Sequence, residues 1–301
     1  MEVYAVLDGP LAAYDDWQAK RRLGLGATDA GPVCGVSPWR TAFEVYLDKI
    51  GELPDREPTA AMEWGTRLEP VVAAAYAERR GVELSKPPMR WHPDYPWMFA
   101  NIDRESEDRR IVELKTASAW VADEWGDDGT DQAPEGYVLQ VSHQMAVANI
   151  DLADIAVLIG GSDFRVFHIE RNRQLETRLI EIESAFWECV QRREPPEPTW
   201  SHPSTVELMK HLYGVDELRT VNLDGDAMDV VERWENARNK AKTASELAGT
   251  EKARLQYLLG DASEGRLPDG RMIRRKNINR RGYTVEPATY IDMRILGGQR
   301  R

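Results

Sequence analysis

Two β-prone runs, Phe99-Ala-Asn-Ile-Asp103 and Ile111-Val-Glu113-Leu-Lys115, flank the polar segment Glu105-Ser-Glu-Asp-Arg-Arg110, a pattern that predicts a hairpin. Side chains alternate along a strand, so Ile111, Glu113 and Lys115 share one face while Val112 and Leu114 share the other. A turn near Asp108 places Asp103 opposite Glu113, with Cβ atoms about 5 Å apart. Two carboxylates at that distance repel each other. A hard divalent cation relieves the repulsion, and Mg²⁺ takes one or two carboxylates together with water and phosphate oxygens. An adjacent ammonium can orient the attacking water or offset charge developing on phosphorus. That chemistry is phosphodiester hydrolysis, although Glu-x-Lys by itself is also an ordinary solvated strand face.

Two further segments can bring groups to this hairpin. In Trp64-Gly-Thr-Arg-Leu-Glu69-Pro-Val-Val-Ala-Ala-Ala-Tyr76, the apolar positions 64, 68, 71, 72, 75 and 76 have helical spacing, with Glu69 inside the pattern just before Pro70. Proline removes a helix donor and favours a bend there, where a carboxylate reaches inward. A surface glutamate is the alternative. In Tyr137-Val-Leu-Gln140-Val-Ser-His-Gln144-Met145, both amides lie on one helical face beside Tyr137, Val141, Met145 and Ala148. Gln140 can bind the water or steady Lys115, or serve as a structural amide.

The elements around them form a mixed α/β pattern over residues 1–200. Glu194-Pro-Pro-Glu-Pro198 reads as an extended linker, so a domain boundary is expected at residue 200, with a second region over 201–301. There Ala227, Val230, Trp234, Ala237, Ala241, Ala244, Ala248, Leu255 and Leu258 keep three-and-four spacing, which predicts a helix of about 50 Å. Leu267-Pro-Asp-Gly-Arg271 is a turn signal, and residues 272–278 with 283–285 read as a basic β-hairpin.

Composition narrows the classes. The chain has 301 residues and a net charge of −12, with no run of eighteen apolar residues, so a membrane-spanning protein is not expected. Its start lacks the basic and apolar regions of a secretory signal, which points to a cytoplasmic protein. Cys34 and Cys189 are too few and too far apart for a four-cysteine zinc site or a cysteine-ligated iron–sulfur cluster. His92, His143, His168, His202 and His211 show no metal-ligand spacing on one helix, and Cys34 reads as buried filler. Trp39, Trp64, Trp91, Trp97 and Trp187 stand among apolar neighbours and are expected in the core. Charge is uneven: residues 1–260 carry 29 basic against 46 acidic side chains, and residues 261–301 carry 10 against 5. Arg271, Arg274, Arg275, Lys276, Arg280 and Arg281 fall within eleven residues, suited either to phosphate contact or to a solvated face.

The order Gly65-x-x-x-Glu69, Asp103-x9-Glu113-x-Lys115 and Gln140 resembles the YqaJ-type viral recombinases, relatives of lambda exonuclease in the PD-(D/E)xK nuclease superfamily. Leu23-Gly-Leu-Gly-Ala-Thr28-Asp29, Gly35-Val-Ser-Pro-Trp39 and Ala100-Asn-Ile-Asp103 add to the likeness, which covers approximately residues 15–190. It implies a restriction-endonuclease-like core, a central mixed sheet flanked by helices. It also implies digestion of linear double-stranded DNA from a 5′ end, needing Mg²⁺ or Mn²⁺ but neither ATP nor an iron–sulfur cluster, and leaving 3′ overhangs for a single-strand annealing protein. Carried over by position, Asp103, Glu113 and the Leu114 carbonyl are metal ligands, Glu69 serves a second metal, Lys115 is the catalytic lysine and Gln140 its neighbour. Thr28 and Arg22 match the groups that receive the terminal 5′ phosphate, and Ser142 replaces a glutamine that many relatives carry. Family members often form rings, whose basic channel would reconcile an acidic exterior with DNA. The region after residue 200 is assigned DNA contact or assembly through Arg274, Arg275, Lys276, Arg280 and Arg281. Two other readings stay open: a structure-specific or single-strand nuclease of the same superfamily, and a non-catalytic DNA-binding assembly protein.

Overall fold

The computed structural model describes residues 19–53, 59–213, 218–279 and Gly282, and the chain divides into two units after Tyr213. The first unit holds strands β1 (Leu25–Gly26), β2 (Leu84–Ser85), β3 (Arg90–Trp91), β4 (Met98–Ala100), β5 (Arg104–Ser106), β6 (Ile111–Ala117), β7 (Leu152–Ile159) and β8 (Asp163–Glu170). Its helices are α1 (Ala30–Val33), α2 (Ala42–Lys49), α3 (Ala60–Arg80), α4 (Glu135–Ala148), α5 (Arg173–Arg192) and α6 (Pro203–Leu212). The main sheet has the order β2-β5-β6-β7-β8, antiparallel except for the parallel pair β6–β7, and a small sheet has the order β1-β4-β3. A parallel pair cannot be closed by a tight turn, and α4 lies on the crossover between β6 and β7. The result is a mixed sheet with helices on both faces, as expected.

Alternation along β6 decides what each face receives. Ile111 joins Ile155, Val157 and Phe167 against Val141 and Met145 of α4, while Val112 and Leu114 join Ala156 and Val166 against Val72, Ala73 and Tyr76 of α3. β7 reads Leu-Ala-Asp-Ile-Ala-Val-Leu-Ile because both of its faces are covered. Thr59 caps α3 by accepting the Met62 N–H, and the helix runs through Pro70 to Gly81, whose φ of 67° ends it in the left-handed region.

The face of α3 on the sheet carries Gly65, Glu69, Val72, Ala73 and Tyr76, one step from the apolar stripe read in sequence. Val72 and Tyr76 are buried and a Cβ on Gly65 would meet Thr116 Oγ1 at 3.6 Å, whereas Trp64 and Val71 are exposed. Trp39 and Trp91 are exposed too, so three of the five tryptophans expected in the core are not there; Trp97 and Trp187 do pack against buried clusters. Trp64 instead lies under the Arg67 guanidinium, 5.3 Å from ring centroid to Cζ. Cys34 packs beside Ala30, Leu139 and Leu179, and burial, followed by Glu183 and Glu135, pushes its thiol up to about 11. It is therefore kept as an uncharged thiol.

The first unit continues past residue 200, where its end was expected. Leu208 of α6 is buried, and Met209 and Leu212 pack beside it against Phe43, Tyr46 and Phe186, which ties the chain beyond the prolines to the core. In the second unit α7 (Gly225–Leu259) spans 35 residues with no buried side chain. Strands β9 (Glu264–Arg266) and β10 (Met272–Arg274) pair across the turn at residues 267–270. The hairpin thus uses the strand before the turn, while residues 283–285 lie outside the described residues. No helix among the described residues is long and apolar enough to cross a membrane.

Candidate active site

The β5–β6 register, Arg104↔Val112 and Glu105↔Ile111, continues to set Asp103 across from Glu113. Asp103 Oδ2 accepts the Leu114 N–H at 3.0 Å, so the aspartate closes the free edge of β6 just beyond its pairing with β5. In a strand, the carbonyl leaves a residue on the same side as its N–H, which turns the Leu114 carbonyl to that edge as well.

Glu113 is 2% exposed and three contacts aim it. Its Oε1 accepts from Lys115 Nζ and from Gln140 Nε2, each at 2.5 Å, and its Oε2 accepts from Gln144 Nε2 at 2.7 Å. Lys115 shares the Glu113 face of β6, and its Nζ lies 5.0 Å from the Tyr137 ring centroid. Gln140 therefore steadies Glu113 rather than Lys115. Gln144, one turn further along α4, completes the clamp, and its identity as a site residue was missed although its spacing from Gln140 displayed it.

The electrostatics follow from burial and sign. Burial first, and then the charge of Glu113, push the Asp103 carboxyl up to about 7. Burial disfavours the Lys115 ammonium, but Glu113, and behind it Asp103, outweigh that and raise its pKa above the ordinary lysine value. Lys115 is thus charged at neutral pH and cannot act as a base.

Glu69 comes to the same region from α3, but it arrives paired. Its Oε1 lies 2.7 Å from Arg104 Nη1 and 3.6 Å from Lys86 Nζ. Among the described residues no group of three or more His, Cys, Asp or Glu side chains is arranged to hold a metal ion. Glu69, expected at a second metal, stands here with cations, because Arg104 projects to it from the residue after Asp103. The residues that fit a hard cation are Asp103, Glu113 and the Leu114 carbonyl. Two observations bear on that fit: a carboxyl that holds its proton to about 7 beside a second carboxylate, and Gln144 Oε1, which is buried without a partner.

The expected phosphate pocket is arranged differently from its sequence reading. Thr28 is exposed on the 3₁₀ turn Ala27–Asp29. Arg22, however, turns to α2, where its Nε donates to the Asp48 carbonyl at 3.1 Å. The guanidinium groups that meet Asp29, next to Thr28, belong to Arg21 at 3.4 Å and Arg40 at 3.8 Å. Fully buried Lys49 pairs with Asp29 at 2.7 Å, and Gly26 N–H donates to the same carboxylate, which pins the turn. Arg21 and Arg22 are neighbours in sequence, and only the fold sends the first to Asp29 and the second to Asp48.

In the second unit, Arg274 pairs with Glu264 at 2.6 Å, Arg275 donates to the carbonyls of Ala262 and Gly260, and Lys276 is exposed. Arg280 and Arg281 lie outside the described residues.

The fold of the first unit has likenesses among solved structures. The structure is similar to the alkaline exonuclease LHK-Exo from Laribacter hongkongensis, and to LHK-Exo in complex with dAMP, each at a TM-score of 0.50 and 20% identity over 60% of this chain and 94% of that one. Residues 16–151 match the YqaJ-like viral recombinase domain. The uncharacterized protein YqaJ of Bacillus subtilis (strain 168) is 37% identical over 178 residues, which are 58% of this chain and 55% of that protein. The chain thus spans about half the length of the curated relative it matches.

Proposed function

We propose that this protein is a Mg²⁺-dependent, ATP-independent deoxyribonuclease that digests linear double-stranded DNA from 5′ to 3′ and leaves 3′ overhangs for an annealing protein. The observation that carries the reading is the convergence of Asp103, Glu113 and Lys115 at one strand edge, with Gln140 and Gln144 holding both oxygens of the glutamate. The likeness to LHK-Exo and the match to the YqaJ-like domain support it.

Asp103, Glu113 and the Leu114 carbonyl would hold Mg²⁺, which when bound supplies Lewis-acid polarisation of the phosphoryl group. The protein's own residues do the rest. Lys115 keeps its proton, so it donates to the attacking water or to a phosphate oxygen and offsets charge as it develops. Gln140 and Gln144 prevent the buried Glu113 from rotating. Thr28, with Arg21 and Arg40 near it, suits the terminal 5′ phosphate, and Arg274, Arg275 and Lys276 suit the duplex backbone.

The test uses linear duplex labelled at the 5′ or the 3′ end, with and without Mg²⁺, beside an intact closed circle. Mononucleotides are expected from the 5′ label alone and only with Mg²⁺. Cutting of the circle, or equal release from both ends, refutes the proposal.

A further inference from the structure

Arg104 is bound on two sides. Its Nη1 donates to Glu69 Oε1 at 2.7 Å and also to the Asp103 main-chain carbonyl, which commits both hydrogens of that nitrogen. Its side chain is 16% exposed and that of Glu69 is 27% exposed, so the guanidinium is fixed between α3 and β5 beside the carboxylate pair. Among the described residues, its Nε and Nη2 make no hydrogen bond, and their N–H groups remain for a ligand.

Charge points the same way. Asp103, Glu113 and Glu69 bring three negative charges when ionised, and Arg104, Lys115 and Lys86, the last 3.6 Å from Glu69, bring three positive ones. One divalent ion already leaves the group net positive towards a phosphate, and a second would have to displace a guanidinium to reach Glu69.

We propose that Arg104 is a built-in replacement for a second metal ion: the site takes one divalent cation, at Asp103 and Glu113, and Arg104 supplies the other positive charge to the DNA phosphate. This rests on the nuclease reading and specifies its site. The guanidinium offers planar paired donors to phosphate oxygens, a geometry suited to Arg. Glu69 is then a positioning residue that holds Arg104.

Calorimetric titration of the full chain with Mn²⁺, without DNA, tests this. The wild type should bind one Mn²⁺ per chain, and Arg104→Gln should expose Glu69 and bind two. Glu69→Gln should still bind one, with affinity within about threefold, because Glu69 is not a ligand. Two ions in the wild type, one in Arg104→Gln, or a tenfold loss of affinity in Glu69→Gln each overturn the proposal while leaving a nuclease possible. Absence of binding in the wild type overturns both readings. Melting temperatures identify a misfolded variant, and Glu69→Gln, which leaves Arg104 in place, decides the matter if Arg104→Gln does not fold.

Discussion

Gln144 Nε2 lies 2.7 Å from Glu113 Oε2, and this contact orients the glutamate from the side opposite Lys115. Replacing Gln144 with Leu keeps the volume on α4 but removes that donor. Groups that orient a ligand in this way typically carry about 10–100-fold in metal affinity or activity. Gln144→Leu is therefore expected to lose that much exonuclease rate while keeping its circular dichroism spectrum. Full activity in this variant would make Gln144 a packing residue only.

Lys115→Ala should abolish nucleotide release without abolishing DNA binding. The lysine is charged, mostly buried and joined to Glu113, so its loss removes the ammonium from the reacting centre and leaves the carboxylate with less compensation. Rates on end-labelled duplex and binding by fluorescence anisotropy separate the two effects. Lys115→Arg is expected to recover little, since the guanidinium cannot occupy the same point over Tyr137.

Asp103→Asn should inactivate the protein and yet stabilise it without metal. Burial and Glu113 raise the folded-state pKa of Asp103 to about 7, above its value of 3.8 when unfolded. The folded state holds the extra proton, so stability falls as pH rises from about 4 to about 7. The variant lacks this ionisation and should show a flatter melting temperature over that range, with the wild type melting lower at pH 7. The same proton competes with a cation, so Mn²⁺ should bind the wild type more tightly as pH rises towards 8. A metal affinity unchanged between pH 6 and 8 would contradict this assignment.

His143 is the second pH-sensitive group. Its Nδ1 faces Glu183 at 2.8 Å and its Nε2 faces the Phe99 carbonyl at 2.9 Å, all fully buried, which joins α4, α5 and β4. Burial lowers its pKa but Glu183 outweighs it, and the net result is a raised value. Its stabilisation is complete below about pH 6.5 and is lost as pH rises through the elevated folded-state pKa. Calorimetry from pH 6 to 10 should show the wild type losing stability in the alkaline part of this range relative to His143→Gln. Breaking such a pair from the other side, as in Glu183→Ala, is expected to cost about 3–5 kcal/mol.

Local pattern made much of this legible. The alternation of β6, the hairpin joining it to β5, the helix carrying both glutamines and the long exposed α7 are all written in spacing, because short-range periodicity dictates which side chains share a face. Where several phases fit, the pattern misled. On α3 the apolar stripe read in sequence held Val72 and Tyr76, which pack, together with Trp64 and Val71, which do not, and only contact with Val112 and Leu114 selects Tyr76, Ala73 and Val72, and with them Glu69, for the sheet.

From its letters alone, this protein could be read as an α/β nuclease-like domain with Asp103, Glu113 and Lys115 at one strand edge, since residues so close in the chain meet through local geometry. Four relationships needed the folded chain: Gln144 on Glu113, Arg104 on Glu69, Arg21 on Asp29, and α6 against α2. Each joins segments far apart in sequence or chooses between adjacent residues of the same type. Such choices depend on the packing of helices against the sheet, which no one-dimensional period encodes.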